Sequence, residues 1–373
     1  MKTRNKIILA VSGVLLVALI VFVVQLVGKK DTYTHETIYG EGGLCFSPEG
    51  VCITVSGLRF FDPVTSELSY LCRIPNCTHE TSNEECEAFK ISYANGAFIY
   101  EGNLYYFERK PLVSEIWVRE LAGSGERKLA EVPFTPKDEY FIIVDGKLYC
   151  TVTEALDDYG IERSGLFLVE IDINTGAYRR LTEEESYGNY KIKELEIFNG
   201  ELYYNCTVYP EGYDEMYQEH LKGKISLSEI IATQTEVLHK VNLDTLEKTN
   251  CYNDEERYIL CGTGGGYLIV WDSLTGEILA VDKKEKAKVI GTAVSSGVIY
   301  PVMGDYVGYI EDEKVVFVSL STGKETEREW KNCGAVISYN STLDAIFTLE
   351  KLNNYNIFSV DDFISGDFEL SEK

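Results

Sequence analysis

Positive charge is scarce in this sequence: 35 Lys and Arg stand against 60 Asp and Glu, a formal net charge of −25. The first thirty residues hold five basic groups and no acidic one, so the remainder carries 30 basic against 60 acidic groups, a net of −30. Such a field repels nucleic acid, and no nucleic-acid partner is expected. It tolerates cations or a basic partner, and it keeps an exported domain soluble. Histidine is rarer still, four in all. His35, His220 and His239 stand apart from one another, and no hydrolase constellation forms around them, so no catalytic residue is assigned. Gly262-Thr263-Gly264-Gly265-Gly266 lacks the Lys-Ser/Thr ending and the following helix of a phosphate-binding loop, and a wide turn between strands explains it better. Helical periodicity is almost absent beyond the N-terminus, except in a stretch around 226–233.

What is present begins with a long apolar run. After Lys2, Arg4 and Lys6 no charge appears from residue 7 to residue 28, a run of 22 residues. At about 1.5 Å per helical residue this matches a hydrocarbon core of roughly 30 Å. The exit lacks a small-x-small cleavage site and a nearby cysteine, so an uncleaved signal anchor is expected rather than a signal peptide or a lipoprotein leader. The basic flank places the N-terminus in the cytoplasm. The expected organisation is a cytoplasmic tail at 1–6, a single membrane span at 7–28, a linker at 29–36 and an outer domain at 37–373.

That outer domain repeats two phrases. One is a tight turn entering an aromatic strand: Glu101-Gly102-Asn103-Leu104-Tyr105-Tyr106, Asp145-Gly146-Lys147-Leu148-Tyr149-Cys150 and Asn199-Gly200-Glu201-Leu202-Tyr203-Tyr204. Such dipeptides reach the positive φ values of two-residue hairpins. The other is a polar turn closing a strand, at Asp62, Asp172, Asp272 and, more loosely, Asn242 and Ser319, often with Thr and Gly three and four residues on. The phrases alternate at about 40 to 60 residues, the length of a four-stranded propeller blade. The fold class expected is all-β, a β-propeller of seven blades with six as the alternative, its units near 43–90, 91–134, 138–185, 192–254, 257–292, 293–331 and 334–373. The 26 Tyr and 16 Phe suit the spaces between twisted sheets.

The most unusual stretch is Leu71-Cys72-Arg73-Ile74-Pro75-Asn76-Cys77-Thr78-His79, followed by Cys86. Cys72, Cys77, His79 and Cys86 make a Cys3His set that zinc favours in closed structural sites. The spacing, C-x4-C-x-H-x6-C, demands a sharp turn to aim both Cys77 and His79 inward. A disulfide between Cys72 and Cys77 around Pro75 is the preferred reading in an oxidising compartment, and no cofactor is implied other than structural zinc as its alternative. Elsewhere, Cys45 and Cys52 flank a hairpin turn, where a bulge at Gly50 would set them one residue out of register. Cys150, Cys206 and Cys333 read as buried thiols.

This segment resembles one in bacterial extracytoplasmic propeller proteins of unknown function, similar to the TolB-like propellers. In that group a Leu-Cys-x-x-Pro-x-Cys-x-His stretch with a later cysteine corresponds to Leu71, Cys72, Pro75, Cys77, His79 and Cys86 here. The resemblance implies a fold and a surface location, and no activity. The Trp271-Asp272 phrase is similar to repeats in quinoprotein propellers, but those show Trp in blade after blade, and this chain has three Trp. The expected function is a membrane-anchored module that binds or scaffolds a protein or glycan outside the cytoplasm. An extracytoplasmic hydrolase using a central propeller pocket is the alternative.

Overall fold

A computed structural model describes residues 36–366 with internal omissions, the longest at 155–165 and 294–301. The expected cytoplasmic tail, membrane span and most of the linker, together with Cys333 and residues 367–373, lie outside the described residues. Among the described residues no helix is long and apolar enough to cross a membrane.

The hairpin phrases fold as their dihedral demands require. Glu101 and Gly102 have φ of 48° and 72°, Asp145 and Gly146 51° and 72°, Asn199 and Gly200 54° and 80°. Two successive positive φ values make the turn whose twist matches paired strands. These turns join β6 (Asn95–Tyr100) to β7 (Asn103–Lys110), β10 (Phe134–Val144) to β11 (Lys147–Glu154), and β14 (Tyr190–Phe198) to β15 (Glu201–Val208).

The polar turns are equally regular. The Asp172 carboxylate accepts the N–H groups of Asn174 and Thr175 at 3.0 and 2.9 Å, and Gly176 donates its N–H to the Asp172 carbonyl at 2.7 Å. Asn242 does the same for Asp244 and Thr245 at 3.0 and 2.8 Å, and Asp272 for Leu274 and Thr275 at 3.0 and 3.2 Å. In the first and third copies a glycine takes the left-handed position, Gly176 at 74° and Gly276 at 79°; in the second it is Leu246, at 61°. A Cβ on Gly276 would sit 2.5 Å from the Ala293 carbonyl oxygen, so that glycine is also a steric necessity. Leu246 is 38% exposed, and its side chain there strains the backbone without a packing return. Leu246→Gly will therefore raise stability by about 0.5–1 kcal/mol, because relief of left-handed strain exceeds the added chain entropy. Urea unfolding of the two forms checks this, and a destabilised variant would show that Leu246 packs better than its exposure implies.

The strands pair antiparallel throughout and form seven sheets among the described residues. In chain order they hold β2–β5 (Leu44–Ser47, Gly50–Ile53, Arg59–Asp62, Glu67–Tyr70), β6 and β7 with β8 (Val113–Glu120) and β9 (Glu126–Val132), and β10 and β11 with β12 (Leu166–Asp172) and β13 (Tyr178–Arg180). The fourth holds β14 and β15 with β16 (Thr235–Asn242) and β17 (Lys248–Asn250), and the fifth β18–β21 (Tyr258–Gly264, Tyr267–Asp272, Glu277–Val281, Ala287–Thr292). The last two are three-stranded: β22–β24 (Tyr306–Glu311, Lys314–Ser319, Glu325–Glu329) and β25–β27 (Ala335–Asn340, Ala345–Lys351, Asn354–Ser359).

Burial is graded across the sheets whose side chains are described. β11, β12 and β15 are buried almost throughout, whereas β13, β17 and β24 at the far edges are exposed and charged. The apolar clusters lie between sheets that follow one another in sequence. Ile142, Leu168, Leu195 and Tyr204 join the third to the fourth, Phe198, Leu238, Leu260 and Val270 the fourth to the fifth, and Ile269, Ile278, Tyr309 and Val316 the fifth to the sixth. Each sheet thus completes its core on its neighbours. Full burial of a Phe or Leu side chain is worth about 1.5–3 kcal/mol, so these interfaces are the main stabilising term. This is a propeller-like architecture. Between the fifth and sixth sheets the approach is close enough that a Cβ on Gly264 would meet the Gly304 carbonyl oxygen at 2.3 Å, which accounts for the glycine run without a phosphate.

Two features depart from the sequence reading. β1 (Glu36–Tyr39) is a fifth strand of the third sheet, paired along β10 from Glu36↔Ile143 to Tyr39↔Tyr140, and it also contacts β2 and β25. The insertion between β15 and β16 holds its principal helix at Tyr213–Leu221, ahead of the 226–233 stretch. Its apolar residues make no continuous stripe; instead Tyr209, Tyr213 and Tyr217 stack in succession, with ring centroids 4.3 and 6.3 Å apart.

Candidate metal centre

The connection from β5 to β6 carries the Cys/His segment and ends in a short helix, α1 (Glu87–Ser92). Asn76 and His79 both adopt left-handed backbone, φ 58° and 52°. These are the sharp turns that the two-residue spacing of Cys77 and His79 requires. They bring Cys72, Cys77, His79 and Cys86 together, with all four ligand atoms within 4.8 Å of one another. Cys86 Sγ lies 4.0 Å from Cys72 Sγ and 3.7 Å from His79 Nδ1. The bond lengths of a zinc shell, about 2.3 Å to sulfur and about 2.0–2.1 Å to nitrogen, imply tetrahedral edges of roughly 3.8 Å between sulfurs and roughly 3.6 Å from sulfur to nitrogen. These two separations lie close to such edges and the remaining pairs stay within 4.8 Å, so the donor set could close on a metal of this kind.

The surroundings hold this arrangement in place. Cys86 immediately precedes α1, and its carbonyl accepts the N–H groups of Phe89 and Lys90 at 3.1 and 3.0 Å. Burial raises the Cys72 thiol, but backbone N–H groups of Ile74, Glu87 and Ala88 outweigh it and bring Cys72 below its ordinary value. A sulfur that accepts N–H bonds from a helix start is stabilised as thiolate, the form that binds metal. Cys77 moves up: the His79 backbone N–H lowers it, while burial and hydrogen bonds with Cys86 and Cys72 together prevail. The His79 ring stacks on Tyr70 at 4.6 Å and 18°, which fixes its plane.

An ion-pair network ties the segment to the second sheet. Arg73 grips Glu87 through Nε at 3.1 and 3.0 Å and Nη2 at 2.7 Å. From β8, Arg119 donates to the same carboxylate at 3.0 Å and to the Leu71 carbonyl at 3.1 Å. The Arg119 side chain is 2% exposed, so its charge depends on these partners. The Arg73 guanidinium in particular, with Arg119, holds Glu87 down to about 2 against burial. A carboxyl whose folded value is depressed stabilises the fold above its ordinary value and loses that contribution as pH falls. The domain will accordingly lose stability between about pH 4.5 and about pH 2, the window between the ordinary and folded values. Glu87→Gln should flatten that part of a melting-temperature profile against pH; an unchanged slope would show that other carboxylates set it.

The remaining cysteines fall elsewhere. Cys45 and Cys52 are directly opposite in the β2–β3 ladder, in register, and are 2% and 0% exposed. Cys150 and Cys206 are buried, as expected from the sequence. His220 and His239 lie in the insertion helix and in β16, away from the cluster in the chain. Sequence reasoning missed Glu196. A bulge between Lys193 and Leu195, with Glu194 at φ 55°, interrupts the alternation of β14. Glu196 is buried between sheets, receives the Thr263 hydroxyl at 3.1 Å and is pushed by burial up to about 8. No linear pattern announces a carboxyl turned inward by a bulge.

Neither family models nor curated proteins match this sequence. Among solved structures the chain is similar to a prolyl endopeptidase, at 13% identity over 79% of this chain and 42% of that one, TM-score 0.44. It is also similar to a nidogen/laminin complex, at 12% identity over 78% and 91% with TM-score 0.36, and to TolB from Acinetobacter baumannii, at 12% over 88% and 78% with TM-score 0.36. The chain spans about two fifths of the length of that prolyl endopeptidase. None of these likenesses bears on its activity.

Proposed function

We propose that this chain is a membrane-anchored, extracytoplasmic seven-bladed β-propeller that binds a protein or glycan, and that Cys72, Cys77, His79 and Cys86 hold a structural zinc. The observation that carries the reading is the closure of the cluster. Four protein donors within 4.8 Å of one another would complete a tetrahedral shell around zinc and leave no position for water or substrate, which is the mark of a structural site. Zinc there would supply a rigid cross-link between the end of the first sheet and the start of α1. The same geometry favours metal over a Cys72–Cys77 bridge, because a disulfide has no use for His79 and Cys86 converging on it.

A closed seven-bladed ring with β1 placed as it is would favour binding over catalysis. β1 runs beside β10 and touches β2 and β25, so it lies where strands of the first, third and last sheets gather. In a seven-sheet ring that place is the axis, and a strand there fills the mouth that a central hydrolase pocket would need. The anchor rests on the apolar run at 7–28, and the orientation on its basic flank.

Membranes bearing the full chain test this. The chain should stay in the pellet after alkaline washing, and an impermeant protease should digest the domain in intact cells. Affinity capture from those membranes should return a protein or glycan that free propeller competes away. A chain released by the wash, or shielded from the protease, contradicts the placement; a competed partner absent in every capture contradicts the binding role.

A further inference from the structure

Beside the Cys/His cluster lies a cleft of about 250 Å³, lined by Arg73, by Glu87, Lys90 and Ile91 of α1, and by residues of β7, β8 and β9. Its floor is aromatic. Tyr106 and Trp117 are direct cross-strand partners on β7 and β8. The Trp117 indole N–H already donates to Glu115 at 3.2 Å, and the Tyr106 hydroxyl donates to Glu126 at 2.7 Å. With its indole N–H satisfied, what the partly exposed Trp117 offers the cleft is ring surface, while Tyr106, 8% exposed, belongs to the core.

The rim carries both signs of charge, Arg73 and Lys90 against Glu87, Glu108 and Glu126, and Glu108 is itself paired with Lys110. Arg73, paired with Glu87 at 2.7 Å and Glu126 at 3.5 Å, lines the same cleft as Lys90 and Glu108. A cationic ligand would meet Arg73 and Lys90, and an anionic one Glu87, Glu108 and Glu126, all within the same small volume. A neutral molecule with one apolar face and many hydroxyls escapes both penalties, since it stacks on the floor while donors and acceptors of both signs reach its edges. The volume is below the range of about 300–1,000 Å³ usual for drug-sized ligands, so the cleft suits a single ring.

We infer that this cleft binds one neutral pyranose ring of a glycan, stacked on Trp117 and held at its rim by Lys90 and Glu108. The inference rests on the binding-module reading and names its ligand class and place. It also gives the metal cluster a purpose. Cys72 is followed by Arg73 and Cys86 by Glu87, so two of the four ligands position the ion pair that forms the cleft wall.

The test is a titration of the metal-loaded full chain in detergent, followed by calorimetry and tryptophan fluorescence. The probes are cellobiose, chitobiose and maltose as neutral arms, and digalacturonate and trilysine as charged ones. At least one neutral disaccharide should bind, and both charged probes should bind at least about tenfold more weakly than it. Trp117→Ala should weaken the best sugar by about tenfold or more, Trp117→Phe should hold it within about threefold, and the exposed Lys90→Ala should weaken it by about threefold. Lys90→Ala keeps the proposal testable should Trp117→Ala fail to fold. Failure of all three sugars, tighter binding of a charged probe, or sugar binding unaffected by Trp117→Ala and Lys90→Ala would overturn it. Sugar binding that ignores both variants removes this cleft while leaving the binding-module reading standing; absence of any competed partner in membrane capture is instead the failure of that reading.

Discussion

Chelation of the purified chain will release one equivalent of zinc and lower its thermal midpoint, and Cys86→Ala will reproduce the loss without chelator. Cys86 is the ligand of choice because it is fully buried and stands at the joint between the loop and α1. Removing it leaves three donors and uncouples α1 from the end of β5. Structural zinc contributes about 10–16 kcal/mol of apparent binding energy in isolated fingers. Here surrounding sheets already hold much of the segment, so the expected loss of stability is on the order of 5 kcal/mol. The midpoint of Cys86→Ala should no longer respond to chelator. A variant that melts with the parent would mean that the four side chains converge for another reason.

The second large effect is expected at Arg119. This guanidinium crosses from β8 to reach Glu87 and the Leu71 carbonyl with almost no solvent contact. Truncation to Ala removes one of the two cations on Glu87 and leaves the Leu71 carbonyl short of a donor. Breaking a buried pair from one side costs about 3–5 kcal/mol. The lower end, about 3 kcal/mol, is expected because Arg73 still grips Glu87. Arg119→Lys should recover little, since a single ammonium cannot serve both acceptors in the fork geometry. Urea unfolding of the three forms measures this, and metal content measured alongside shows whether the clamp and the cluster fail together. A loss under about 1 kcal/mol would place Arg119 among ordinary surface-type ion pairs.

Much of the fold was legible because its turns are built from local chemistry. An Asp or Asn that accepts N–H groups two and three residues ahead needs nothing from the rest of the protein. Asp172, Asn242 and Asp272 are recognisable for that reason, and the paired positive φ values at 101–102, 145–146 and 199–200 follow from Gly at the second place. β1 was illegible because four residues, Glu36 to Tyr39, carry no pattern that says which of many strands they will join. The insertion helix was hidden because its stabilising contacts are tyrosine stacks and not an apolar stripe. At the cluster, residue types and spacing named the four side chains that could share a metal, Cys72, Cys77, His79 and Cys86, beside the preferred reading of a Cys72–Cys77 disulfide. What spacing could not convey is that Asn76 and His79 turn left-handed, which decides where the sulfurs point.

The most direct measurement is the zinc-edge X-ray absorption spectrum of the full chain purified without chelator. One metal per chain is predicted, with three sulfur neighbours at about 2.3 Å and one nitrogen at about 2.0–2.1 Å. A metal-free chain in which two of Cys72, Cys77 and Cys86 resist alkylation until reduced would contradict it.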